Sequence, residues 1–312
     1  MSYKLMVSSG PHITEEDSTQ RIMQRVCVAL LPSLAVSVLV FGLSSLILTA
    51  VSVAACVFFE YAYCKLMKKD IPVADFSAVV TGMLLAFNVP ATLPWWMLVV
   101  GAFIAIVIVK QLFGGLGFNF ANPAMVARIA LALGYAGKMT QYPFPESGVD
   151  ALSSATPLVA EAGSEAYRAL LLGTHGGMIG ETCALAIVAG GVYLIATRVI
   201  SPMIPLSYLG TVAVLSLLAG KDPIYQLLSG GLMLAAFFMA TDYVTSPTTR
   251  KGKLVFGIGL GVITCAIRFF GSMAEGVSFA ILLMNLLVPY IDSLTRQDKL
   301  GIVRAKRGGA GQ

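Results

Sequence analysis

Charge is what this sequence has least of. Of its 312 residues only 12% are charged and 57% are hydrophobic, whereas a soluble domain carries about a quarter charged residues. With a mean hydropathy of +0.83, this is the composition of a helical bundle bathed in lipid, and it excludes a soluble globular enzyme. Histidine is almost absent: His12 and His175 read as a tail and a loop residue, and two isolated imidazoles make neither a haem nor a zinc site. The five cysteines, Cys27, Cys56, Cys64, Cys183 and Cys265, show no C-x-x-C spacing. That excludes a zinc ribbon and a four-cysteine cluster held by this chain alone, and leaves them as small buried hydrophobes, with a cluster shared with another subunit still open. No dinucleotide-binding fingerprint occurs, and no Lys-Ser/Thr follows the glycines near residue 115, so neither NAD nor a nucleotide phosphate has an evident cradle. No metal site is expected, and no residue is expected to catalyse a reaction by itself.

What is present is a series of apolar runs, near 24–43, 45–64, 74–90, 95–112, 119–137, 178–198, 204–220, 224–243, 254–270 and 275–292. They predict an all-α polytopic membrane protein of about ten transmembrane helices, with a loop or re-entrant turn across 90–96. The N-terminal stretch is polar without a cleavable signal pattern, so the first run is expected to remain as a helix. The organisation expected is an N-terminal segment (1–23), a first transmembrane half (24–137), a polar interval (138–177), a second transmembrane half (178–292) and a basic tail (293–312). The net charge of +5 is distributed along helix ends, so it speaks to orientation and not to nucleic acid. Most of the 21 basic residues fall on the side of the N-terminus, while Lys138, Arg168, Lys221 and Arg268 fall on the other. Both termini are therefore expected in the cytoplasm and the 138–177 interval outside a cytoplasmic (inner) membrane. Trp95 and Trp96 read as interfacial anchors.

Five helices on each side of one loop require the halves to enter the membrane from opposite faces. Gly82-Met-Leu-Leu-Ala-Phe before Pro90 and Pro94 compares with Gly231-Leu-Met-Leu-Ala-Ala-Phe before Pro247. Lys110-Gln-Leu-Phe-Gly-Gly compares with Arg268-Phe-Phe-Gly-Ser, and Asn122-Pro123 with Asn285 and Pro289. Two inverted five-helix repeats are expected, with functional groups at their interface.

The one long polar interval contains Asp150-Ala-Leu-Ser153-Ser154-Ala155-Thr156-Pro157. Small residues leave this backbone free to pass through another enzyme's active site, and Pro157 holds it extended. A threonine hydroxyl so presented can attack a phosphoryl centre, although Ser/Thr-rich loops are more often solvated turns. Asp150, Ser153, Ala155 and Thr156 match the pattern Asp-x-x-Ser-x-Ala-Thr, which resembles the recognition motif of flavin transferases. Those enzymes attach FMN through its phosphate to the last threonine. Ser154 stands where the commoner membrane form has glycine.

A second informative stretch is Phe113-Gly-Gly-Leu-Gly-Phe-Asn119-Phe-Ala-Asn122-Pro123. Asn122-Pro123 suits a helix start, and two carboxamides three residues apart are expected to share a helical face. They match the polar edge of a flavin ring, or the glycines and asparagines form a helix-packing turn. Glu60, Lys110, Arg128, Glu181, Asp242, Arg268, Glu275 and Asp292 lie in or beside apolar runs, where each needs a partner, an ion or water. Arg128 is expected to pair with a carboxylate or a flavin oxygen. Glu60, Asp242 and Asp292 are read as solvated helix ends or as points on an ion path, with Thr241, Thr245 and Ser246 offering further oxygens beside Asp242.

Together with the Thr156 motif, Lys110–Ala124 and Ala240-Thr-Asp-Tyr-Val-Thr-Ser-Pro247 give nearly the whole chain a resemblance to the RnfD/NqrB family, with a length closer to its RnfD branch. These are membrane subunits of complexes that couple electron transfer to Na⁺ or H⁺ transport. The resemblance implies covalent FMN on Thr156, a non-covalent riboflavin at Asn119 and Asn122, and maturation by a flavin transferase. It also implies partner subunits, one of them extracytoplasmic and flavin-bearing, and ferredoxin and NAD⁺ as substrates handled by those partners. Two rivals stand beside it: an inverted-repeat transporter or channel without a redox role, and a structural scaffold for other redox subunits.

Overall fold

The computed structural model describes residues 17–69, 72–142, 164–271 and 276–296. Among the described residues there is no strand, as expected where lipid forces each segment to satisfy its own backbone groups. Helix α1 (Thr19–Phe41) opens on Ser18, whose hydroxyl accepts from Arg21 N at 3.3 Å. It ends at Gly42, whose φ of 73° turns the chain back into α2 (Leu43–Leu66). A 3₁₀ turn (Pro72–Asp75) leads into α3 (Ser77–Phe87). Helix α4 (Trp95–Phe103) loosens into a π-helix over Ile104–Gln111, and α5 (Pro123–Gly134) and α6 (Ala136–Met139) complete the first half.

Within the 138–177 interval lies α7 (Ser164–Leu172), and beyond it come α8 (Ala184–Ala196), α9 (Met203–Leu218) and α10 (Pro223–Leu228). A further helix is broken: α11 (Leu232–Leu234) passes directly into a π-helix over Ala235–Met239. Helices α12 (Arg250–Phe270) and α13 (Val277–Thr295) end the described chain.

Each apolar run read from the sequence contains helix, but among the described residues only α1, α2, α12 and α13 are both long and apolar enough to cross a membrane. The others are shorter, and the run at 224–243 is interrupted at Ser229–Gly231, where Gly230 has φ 66°. Even Trp95–Gln111 reaches only about 25 Å at 1.5 Å per residue, short of the roughly 30 Å hydrocarbon core. The turn at 90–94, closed by Leu93 N donating to Pro90 O at 3.0 Å, separates α3 from α4.

Close helix contacts are made where a side chain is missing. A Cβ on Gly82 of α3 would stand 2.7 Å from Val53 Cα of α2, and Ser52 Oγ donates to Gly82 O at 2.7 Å. On α12, Gly257 and Gly261 face Ser207 and Thr211 of α9, and the Tyr208 and Thr264 hydroxyls meet at 2.7 Å between them. Small residues spaced four apart let backbones approach, which replaces the hydrophobic drive that lipid removes.

Candidate functional site

The ends of the short and broken helices converge. Asn122 caps α5, its Oδ1 accepting from Ala124 N at 3.1 Å and Met125 N at 3.4 Å, with Pro123 at the first helical position, whose missing N–H costs nothing there. Its Nδ2 donates to Met239 O, 3.3 Å away at the end of the π-helix. From α13, the Asn285 carboxamide lies between Thr245 O and Asn122 N, and with the amide assigned to suit both neighbours its nitrogen donates to Thr245 O at 3.0 Å and its oxygen accepts from Asn122 N at 3.1 Å. Asn122 and Asn285, compared in the sequence as repeat equivalents, are thus not in equivalent places. One caps a helix, the other lies within one, and they touch.

Nearly two turns further along α5, buried Arg128 gathers the other broken end. Its guanidinium donates to Asn88 Oδ1 at 2.9 Å and reaches Met178 Sδ at 3.1 Å, and it pairs with Glu181 at 3.3 Å. Asn88, just past α3, donates to Leu84 O at 2.6 Å. The segment 178–181 is fastened to the same helix end: Ile179 N and Gly180 N donate to Val89 O and Phe87 O at 3.0 and 2.9 Å. Glu181 fills the space left by Gly231, where a Cβ would overlap its carboxylate. Of the two partners expected for Arg128, the structure supplies the carboxylate. His175, in the preceding loop, holds its Nδ1 3.1 Å from Ala169 O, and burial keeps the imidazole below its usual pKa and neutral.

A second polar group lies at the start of α3. Lys110 Nζ is 2.6 Å from Glu60 Oε1 and 2.6 Å from Ser77 Oγ, and Gln111 Nε2 donates to the same Glu60 oxygen at 3.0 Å. Glu60 is wholly buried, with Oε2 lacking a hydrogen-bond partner among the described residues. The solvated-end reading of Glu60 is therefore corrected: the π-helical end of α4 carries Lys110 inward onto it. Ser77 passes the chain on to Asp75, donating from both N and Oγ to Asp75 Oδ1 at 2.8 and 2.6 Å. In the second half Arg268, at the end of α12, donates to Gln226 O and Ser229 O at 2.7 and 3.0 Å. Lys110 and Arg268, matched in the sequence, each reach toward the start of a short helix, Lys110 to the Ser77 hydroxyl at the first residue of α3 and Arg268 to Ser229 O ahead of α11.

Between these groups lies a cavity of about 90 Å³ lined by Ser77, Lys110, Asn119, Asn122, Thr241 and Asp242, with apolar walls that include Leu84 and Phe237. It brings together the two carboxamides and Asp242. The carboxamides do not share a helical face, because α5 begins only at Pro123 and Asn119 lies in the turn before it. Gly114, Gly115 and Gly117, with φ of 127°, 95° and 95°, build that turn in a region other residues rarely enter. Asn119 Oδ1 is buried and has no hydrogen-bond partner among the described residues, an acceptor suited to a flavin N–H, while the Asn122 side chain is already engaged. The donor set fits a flavin edge. The enclosed space is below the roughly 300 Å³ of ordinary small-molecule sites and takes a ring edge or a few waters.

Asp242 accepts from Thr245 Oγ1 at 3.1 Å, while Thr241 Oγ1 donates to Phe237 O at 2.6 Å. Asp292 stands apart, accepting from Thr248 N at 3.1 Å. Asp150, Ser153, Ala155 and Thr156, and also Glu275, His12 and the basic tail, lie outside the described residues. Sequence reading missed Asn88 and Ser77. Asn88 had a signal, a carboxamide in an apolar run just before Pro90; Ser77 had none.

Comparison with known proteins gives a match over residues 6–301 to the model of the NQR2, RnfD, RnfE family. The chain is 49% identical over 310 residues to the D subunit of the Na⁺-translocating ferredoxin:NAD⁺ oxidoreductase complex of Acetobacterium woodii, covering 97% of both chains. It is 40% identical over 319 residues to the D subunit of the proton-translocating ferredoxin:NAD⁺ oxidoreductase complex of Clostridium ljungdahlii, covering 96% of both. With the D subunit of the ion-translocating oxidoreductase complex of Alcanivorax borkumensis it shares 38% identity over 338 residues, covering 97% of this chain and 99% of the other.

Proposed function

The chain belongs to the NQR2, RnfD, RnfE family, and from that premise we propose that it is the D subunit of an ion-translocating ferredoxin:NAD⁺ oxidoreductase complex, a multi-pass membrane flavoprotein inactive without its partners. The observation that carries this reading is the 49% identity along 97% of the chain to a subunit of that name. Two relatives of similar coverage name different ions, Na⁺ and the proton, so the coupling ion is left as either.

In this reading Thr156 holds FMN through a phosphoester on the outer face, within the Asp150–Thr156 motif that a flavin transferase reads. A second, non-covalent riboflavin is held by Asn119 and Asn122 at the cavity. The flavins supply the redox chemistry, and the chain positions and tunes them. Asn119 offers a buried unpaired acceptor, Asn122 holds the end of the π-helix to α5, and Lys110 supplies a cation at the cavity wall. Glu60, Asp242 and Asp292 form the ion path, entered from the cytoplasm. The architecture is ten membrane-embedded helices in two inverted repeats, supported by the matched placement of Lys110 and Arg268.

The convergence of two broken helices also suits a transporter without redox role. Electron-transfer rates of the assembled complex separate the readings. Thr156→Ala is expected to abolish ferredoxin:NAD⁺ electron flow in a complex that still assembles. Unchanged flow would leave the chain a scaffold or a transporter.

A further inference from the structure

We propose that the groove between α1 and α2 is a binding site for one anionic phospholipid, with an acyl chain along the groove and the phosphate on Lys65, Lys68 and Lys69. Each of the two helices packs closely on another neighbour. Helix α1 packs on α8, where a Cβ on Gly190 would overlap Ala29 O, and α2 packs on α3 at Gly82. The space left is about 1010 Å³, walled by Leu31 and Leu34 of α1 and by Leu46, Ala50 and Tyr61 of α2, with Met83 of α3 in the lining.

The lining of that groove is apolar except for Thr49 and, at its lysine end, Tyr61. Thr49 is in the lining, but its hydroxyl donates to Ser45 O at 2.8 Å. An occupant with hydrogen-bonding groups along its length would lose them to water without replacement, whereas methylenes lose nothing. From Leu46 to Tyr61 the groove follows α2 for roughly 22 Å at 1.5 Å per residue. That exceeds the roughly 15 Å depth of one leaflet, so a whole acyl chain is accommodated.

The charge lies at one end only. Lys65 Nζ stands 5.5 Å from the ring centroid of Tyr61, a groove residue, and Lys69 Nζ 5.4 Å from that of Tyr63. Lys68 follows where the helix has ended, in a left-handed conformation with φ 52°. All three are exposed, and none joins an ion pair among the described residues. Of the neighbouring acids in the chain, Glu60 is engaged by Lys110 and Gln111 and Asp75 by Ser77, while Asp70 lies outside the described residues. Three ammonium groups that form no ion pair among the described residues, at the mouth of an apolar slot, match a phosphodiester headgroup carrying its own chain. A partner's helix would need an acid at that one position to do the same. The lipid site stands whether or not the chain carries a flavin.

The test is titration of the delipidated complex with phosphatidylglycerol and with phosphatidylcholine, read by native mass spectrometry. It compares the wild type, Ala50→Phe, which fills the groove from its lipid-facing wall, and the triple variant Lys65→Gln/Lys68→Gln/Lys69→Gln, which leaves the groove open. The wild type is expected to retain phosphatidylglycerol over phosphatidylcholine. Each lysine is expected to contribute roughly fivefold, so the triple variant should lose the preference and Ala50→Phe the bound lipid. Equal retention of both lipids by the wild type, or variants that retain phosphatidylglycerol unchanged, would overturn the proposal. So would cross-linking of a cysteine placed at Ala54 to a partner subunit in the intact complex, which would assign the groove to a protein neighbour.

Discussion

Lys110 Nζ lies 2.6 Å from Glu60 Oε1 with the two side chains 1% and 0% exposed, so each buried charge is held in place by the other. Removing one partner strands the second. Lys110→Met is expected to lower stability by about 3–5 kcal/mol, and the double variant Lys110→Met/Glu60→Leu to recover most of that loss. Thermal unfolding of the purified variants reads the difference. Additive losses would mean that the pair is not coupled.

Arg128 ties the end of α3 to the 178–181 segment through Asn88, Met178 and Glu181. Arg128→Ala is expected to cost about 3–5 kcal/mol because it leaves a buried carboxylate behind, and Arg128→Ala/Glu181→Ala to cost less than Arg128→Ala alone. Protease susceptibility of the 173–183 loop should rise in the single variant. A loop as resistant as in the wild type contradicts the assigned tie.

Asn119 and Asn122 line one cavity but differ in what they hold. Asn122→Ala removes a helix cap, about 1 kcal/mol, as well as the bond to Met239 O, so its melting temperature should fall. Asn119→Leu breaks no bond at Oδ1 and should leave the melting temperature within about 1 °C while lowering non-covalent riboflavin content. Riboflavin retained in full by Asn119→Leu would remove Asn119 from the flavin site.

On α12, Gly261 stands where a Cβ would come 2.6 Å from Thr211 Cβ. Gly261→Leu forces α9 and α12 apart and is expected to cost about 1–3 kcal/mol or more, visible as lower yield of assembled protein. Gly210→Leu, on α9 with open space around it, serves as the control.

Much of this was legible in the sequence. Hydropathy located the helical segments because lipid-facing and core-facing surfaces are both apolar, and Asn122-Pro123 announced the start of α5 through its own chemistry. The same uniform hydropathy hid the break at Ser229–Gly231, since π-turns and helix interruptions change hydrogen bonding and not polarity. Glu60 looked like a helix end by position, yet the π-helix of α4 swings Lys110 onto it, a rotation that no residue spacing reports. Arg128 signalled its need for a carboxylate, but Glu181 lies far along the chain and only the folded 178–181 segment brings it near. Asn122 and Asn285 were matched by their neighbouring prolines, yet one caps α5 and the other lies within α13, because short polar patterns in apolar sequence align without regard to depth.

The measurement that bears most directly on the redox reading is peptide mass spectrometry, with in-gel flavin fluorescence, on the chain produced alongside an active flavin transferase and correctly inserted in the membrane. The peptide containing Thr156 is expected to carry the mass of FMN joined through a phosphoester, and Thr156→Ala to lose both that mass and the fluorescence. An unmodified Thr156 under those conditions would contradict the redox reading and leave ion or solute transport as the chain's own task.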